Sequence, residues 1–83
     1  MTREQLEKIF DNDETQWEGD NAFQGLQILS KYTDNLIQAA EHDIIFSEGI
    51  EKVLDAGLTE EDADALRKLN WMLDGHGCFS CFV

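Results

Sequence analysis

Proline is absent from these 83 residues, Lys and Arg number only six, and cysteine occurs twice. Each scarcity removes a class of answer. Without proline there is no proline-rich linker, and neither an internal repeat nor a composition break divides residues 1–83, so one domain is expected. Two cysteines without a secretory leader read as free thiols rather than as a disulfide framework. The opening Met-Thr-Arg-Glu-Gln has no apolar signal core and no myristoylation glycine, and Cys81 stands one place too late for a prenylation box. Long apolar runs are missing as well, because Gln38, Glu41 and Asp43 interrupt the best candidate for a membrane span. The expectation is a cytoplasmic domain.

The scarcity of cations says most. Eighteen acids face six bases, a formal net charge of −12. Direct binding to DNA or RNA releases counterions through Lys and Arg, which this chain barely has. Anionic lipid surfaces repel it for the same reason. A partner found by electrostatic attraction must be basic.

What is present is enough to fold. The hydrophobic share is 42%, within the range of globular domains. Thr2 followed by Glu4 and Gln5 is a helix start, and Leu6, Ile9 and Phe10 recur at helical spacing, giving a first helix over about 2–10. After the acidic run DNDETQWEGDN, Asp20 or Asn21 caps a second helix with Phe23, Leu26, Leu29 and Tyr32 or Thr33 on its apolar side. Gly25 inside that helix costs about 1 kcal/mol against alanine, which points to close packing at that position or a weak helix. Leu36 to Phe46 is ambiguous: its first half extends a helix, whereas Ile44-Ile45-Phe46 has strand composition. Ser47 is placed as the cap of a third helix with Ile50, Val53 and Leu54 inward, ended by Gly57. Thr59 opens a fourth whose apolar side is Leu66, Leu69, Met72 and Leu73, with Trp71 beside them and Gly75 and Gly77 beyond. Cys78 to Val83 closes as a strand against residues 43–46. The fold expected is α+β and mainly helical, about four short helices with a two-stranded element near the C-terminus; the alternative is an all-α bundle.

Four stretches taken together, GDNAFQGLQILSKY, AEHDIIF, LTEEDADALRKLNWMLD and the terminal CFV, resemble short uncharacterised acidic proteins of bacteria and their phages. The resemblance implies no catalytic residue and no cofactor. It implies a context, in which small proteins bind and disable a host protein, anti-CRISPR proteins being one such group.

Candidate chemistry is thin. A calcium loop opening at Asp11 would use Asp13 and Thr15, but Gln16 stands where the turn glycine must be and Ala22 where the bidentate glutamate must be. His76-Gly-Cys78-Phe-Ser-Cys81 could bite zinc with help from His42 or Asp74. On a strand, however, positions 78 and 81 point to opposite faces. The same pair lacks the helix N-terminus that activates a redox cysteine. Glu41-His42-Asp43 offers a carboxylate beside an imidazole, yet neighbours on a strand diverge. No glycine-rich phosphate loop is present. The sequence thus points to no cofactor, no metal and no enzyme.

That leaves the surface. Asp11, Asp13, Glu14, Glu18 and Asp20 crowd one connector, with Trp17 in their midst, and Glu60, Glu61, Asp62 and Asp64 crowd one helix start. Acids at a helix start stabilise the helix dipole, so the second cluster has a local explanation; the first has none beyond Asp20 as a cap. Indoles anchor interfaces, and Trp17 among carboxylates suits the basic side chains of a partner, although it equally suits a lid over the first two helices. The reading favoured is a non-enzymatic module that docks on a basic protein surface. In its sharpest form it is a phage-type inhibitor occupying the nucleic-acid channel of a nuclease or CRISPR effector. Duplex DNA carries about one charge per 1.7 Å, a track that carboxylates can imitate. The alternatives are a small structural or accessory domain that self-associates through an apolar patch, and a Cys/His metal-binding module.

Overall fold

The computed structural model describes residues 1–12 and 20–82. Its elements run α1 (Arg3–Phe10), α2 (Asn21–Leu29), β1 (Ala39–Glu41), β2 (Ile44–Gly49), α3 (Ile50–Asp55), α4 (Glu60–Lys68), β3 (Met72–Leu73) and β4 (Cys78–Phe82). The strands form one antiparallel sheet in the order β1-β2-β4-β3. The fold is therefore α+β, and the all-α bundle is excluded. The expected contact between the C-terminal strand and residues 43–46 is present: Ile44 pairs with Phe82, Ile45 with Cys81 and Phe46 with Ser80. The sheet is twice as wide as expected, because β1 and β3 flank that pair.

Local chemistry explains the helix ends. Thr2 and Gln5 form a reciprocal capping box on α1, and the Thr59 hydroxyl accepts from the Asp62 amide to open α4. Both α3 and α4 close with a left-handed residue and the paired bonds of a Schellman turn. In α3 this residue is Gly57, with Leu58 N–H donating to the Val53 carbonyl. In α4 it is Asn70 at φ 66°, with Trp71 N–H donating to the Leu66 carbonyl. This turn ends α4 at Lys68, so Met72 and Leu73 are not on its apolar side but form β3, and Trp71 lies beyond the helix rather than on it. An asparagine stop within an apolar-periodic run is hard to see in sequence, since asparagine also occurs inside helices.

Three further expectations change. Ser47 does not cap α3: it lies in β2, and Gly49 occupies the cap position. Between Phe46 and Gly49 the register shifts against β4, a bulge that turns both Ser47 and Glu48 inward. Residues 36–38 do not prolong a helix; they lead into β1, which joins β2 through a two-residue turn with His42 at φ 55°. Phe23, placed on the apolar side of α2, is instead 60% exposed.

The core lies between the helices and one face of the sheet. Leu6, Leu29, Ile50, Val53, Leu66, Trp71, Phe79 and Cys81 form one buried cluster. Trp71, only 2% exposed, fits because α2 has no side chain at Gly25; a Cβ there would come within 1.8 Å of the indole nitrogen. That nitrogen donates to the Asn21 carbonyl, while the Asn21 amide donates to the Leu69 carbonyl and to the Cys81 sulfur. One buried asparagine thus ties the start of α2 to the end of α4 and to β4.

Candidate functional site

The candidate partner-binding residues divide into three groups. Asp13, Glu14, Trp17 and Glu18 lie outside the described residues. Asp11 and Asp20 flank that stretch and are exposed; Asp20 holds the N-cap position of α2 in a left-handed conformation, φ 43°, and its side chain caps nothing. The third group is the start of α4. Glu60 and Glu61 are exposed there, but Asp62 and Asp64 are engaged within the molecule.

Asp62 accepts a hydrogen bond from the Tyr32 hydroxyl and pairs with Lys31 at 3.1 Å. Burial works to raise its pKa, but the Tyr32 and Lys31 bonds outweigh it and the net effect is downward. Asp64 meets Arg67 at 2.7 Å and Lys68 at 3.3 Å, and the Arg67 bond leads in holding its pKa down. These two carboxylates fasten α4 to itself and to the residues after α2. Their charge is largely answered internally, so the α4 cluster offers a partner Glu60 and Glu61 before Asp62 and Asp64.

The cysteine pair divides as strand geometry requires. Cys81 is buried beneath α2, whereas Cys78 belongs to the other face and is partly exposed. Burial raises the Cys78 thiol pKa, with Asp74 adding to the effect, and burial also raises that of Cys81. A raised thiol pKa leaves little thiolate at neutral pH, and thiolate is the reactive form. His42 is exposed at the tip of the β1–β2 turn, and His76 is exposed in the β3–β4 turn with its ring edge-on to Phe46 at 6.2 Å. Among the described residues no three His, Cys, Asp or Glu side chains come together to hold a metal ion.

Sequence reasoning missed Glu48. Its carboxylate is buried at the β2 bulge, where it accepts from the Gly49 amide at 2.9 Å, the Thr33 hydroxyl at 2.8 Å and the Gln38 amide at 2.7 Å. The Gly49 bond, then the Thr33 bond, hold its pKa below the ordinary glutamate value. The group is saturated with donors and clamps the connector between α2 and β1 onto the sheet. Only the bulge turns it inward, and no local pattern announces a bulge.

The concavities are shallow. One of about 510 Å³ separates α2 from α4 and is lined by Gln24, Ile28, Lys31, Lys68 and Leu69; its two lysines are those paired with Asp62 and Asp64. Another of about 470 Å³ lies where Gln38, Glu48, Lys52, His76 and Cys78 meet. The second holds both the Cys78 thiol and the His76 imidazole, but burial and Asp74 raise that thiol's pKa.

Charge is arranged by element. Arg3 and Lys8 lie on α1, Lys31 just after α2, Lys52 on α3, and Arg67 and Lys68 on α4; residues 32–49 and 69–82 hold no Lys or Arg. The strands and their turns carry Glu41, Asp43, Glu48 and Asp74 instead. Among the described residues no helix is long and apolar enough to cross a membrane. Comparison with protein-family models, curated proteins and solved structures finds no match to this chain.

Proposed function

We propose that this protein is a non-enzymatic binding module that docks on a basic surface of another protein. The observation that carries the reading is the segregation of charge. At −12 overall, the six cations are confined to the helical elements and their ends, and among the described residues four of them are paired: Arg3 with Glu7 and Glu51, Lys31 with Asp62, Arg67 and Lys68 with Asp64. Long-range attraction then favours cationic partners and excludes polyanions. A nucleic-acid-binding channel of a nuclease or CRISPR effector is the sharpest form of such a surface, and the run Asp11, Asp13, Glu14, Glu18 and Asp20, with Glu60 and Glu61, would face it.

Binding of this kind depends on ionic strength, because charges more than about 10 Å apart are screened at 0.1 M salt. Capture from a host extract at low and high salt tests it. The expected result is a basic protein retained at low salt and released at high salt, with slower association when Asp11, Asp13, Glu14 and Glu18 are all changed to their amides. A partner of neutral or acidic character, held equally at both salts, overturns the reading.

A further inference from the structure

We infer that the outer face of the sheet is a docking surface, and that its occupant is a protein segment with an apolar centre ringed by Lys or Arg. The inference rests on the binding reading above and adds to the acidic residues named there a second area of contact, on the sheet. Directly paired residues of an antiparallel sheet share a face. Phe79 packs against Phe10, and Cys81 accepts from Asn21, so these two alternate residues of β4 face the helices. Ser80 and Phe82 therefore face away. Their partners face away with them: Phe46 and Met72 opposite Ser80, and Ile44 opposite Phe82. Ile44, Phe46, Met72 and Phe82 all stand outside the cluster that the helices build with the sheet. Phe82 is 45% exposed, and the other three are partly exposed. Between them Ser80 is fully buried, its hydroxyl turned to Asp74.

An 83-residue chain needs its apolar area for its own core, and Ile, Phe, Met and Phe neighbouring one another on the outer face, outside that core, are the kind of apolar surface found at interaction sites. The rim decides the occupant. Glu41 pairs with Ile44 on this face, Asp43 adjoins it in the turn and Asp74 lies at the β3–β4 end. None of the strands or turns that build the face contributes a Lys or Arg; Lys52 of α3 approaches only the Cys78 end, where its charge is set against Glu48. A second copy would bring Glu41 and Asp43 against their like, at a cost that apolar contact alone must offset. A basic rim around an apolar centre satisfies both parts of the surface.

The test uses an amphipathic peptide of alternating Leu and Lys, with a Leu/Glu peptide of the same pattern and an all-Lys peptide as comparisons, followed by side-chain NMR shifts of this protein. The expected result is that the Leu/Lys peptide binds most tightly and moves the Ile44, Phe46, Met72 and Phe82 signals. Phe82→Lys should weaken it about tenfold or more, as truncating an aromatic anchor does, whereas Phe23→Lys, on a still more exposed ring of α2, should not. Because the mapping is done on the unaltered protein, it stands even if Phe82→Lys perturbs folding. Shifts confined to the helices, or equal binding of the all-Lys peptide, overturn the docking face while leaving the acidic-module reading intact. Failure of every cationic peptide at low salt overturns both. Dimerisation in sedimentation that Phe82→Lys abolishes, or binding to phosphatidylcholine vesicles through Phe82, overturns the stated occupant.

Discussion

At the scale of single residues, the β2 bulge makes two opposite forecasts. Glu48 satisfies three donors, so Glu48→Ala should lose about 1–3 kcal/mol at neutral pH by stranding them. Its folded pKa lies below the reference value of 4.5. The stabilisation it gives by being ionised is therefore complete above that reference and is lost as pH falls through the depressed folded value. Urea unfolding of the two proteins at pH about 7 and about 3 should show their difference shrink in acid. Ser47, its neighbour, is fully buried and its hydroxyl has no hydrogen-bond partner among the described residues. Were it a helix cap, Ser47→Ala would cost about 1 kcal/mol. In the bulge the same change relieves an unsatisfied group, and unfolding should show stability unchanged or raised by up to about 1 kcal/mol. The sequence motif of a cap and that of an inward strand serine are the same two or three letters, and only pairing with β4 distinguishes them.

At the scale of elements, Gly25 carries the junction of α2 with the residue after α4. Alanine is the better helix former by about 1 kcal/mol, so propensity alone predicts a gain from Gly25→Ala. The Trp71 indole occupies the space of that Cβ, and a fixed ring cannot yield without losing its bond to the Asn21 carbonyl. Overpacking should win by about 1–3 kcal/mol, seen as a lower Tm together with a red-shifted Trp71 emission in a Trp17→Phe background. The glycine's presence within a helix already suggested close packing; what lay against it was not visible, since Trp71 is 46 residues away in the chain. Capping residues were similarly legible. Thr2, Gly57 and Thr59 mark real ends because their bonds are made within a few residues. β1 and β3, of three and two residues, carry no periodicity of their own and exist only because β2 and β4 offer edges to pair with.

At the scale of the whole molecule, net charge governs both stability and association. A compact body at −12 repels itself, and screening relieves that repulsion. Raising sodium chloride from about 10 mM to about 300 mM should therefore increase Tm, the opposite of what surface ion pairs such as Arg3–Glu51 would produce alone. A Tm that falls with salt in calorimetry would show that the internal pairs of Asp62 and Asp64 outweigh the surplus. These pairs also revise the candidate site: half of the α4 cluster supports the fold.

The order of letters alone determined the excess of acid, the starts of α1 and α4 and the glycine-marked end of α3, because each depends on composition or on interactions within a short span; the strand composition of residues 44–46 and of the C-terminus also announced their pairing. Tertiary structure alone decided the width of the sheet, the inward turn of Glu48, the bonds of Asp62 to Tyr32 and Lys31, and the apolar row on the outer face. Those features arise when residues distant in the chain are brought into register, and the energy that selects a register comes from all the strands and helices packing at once.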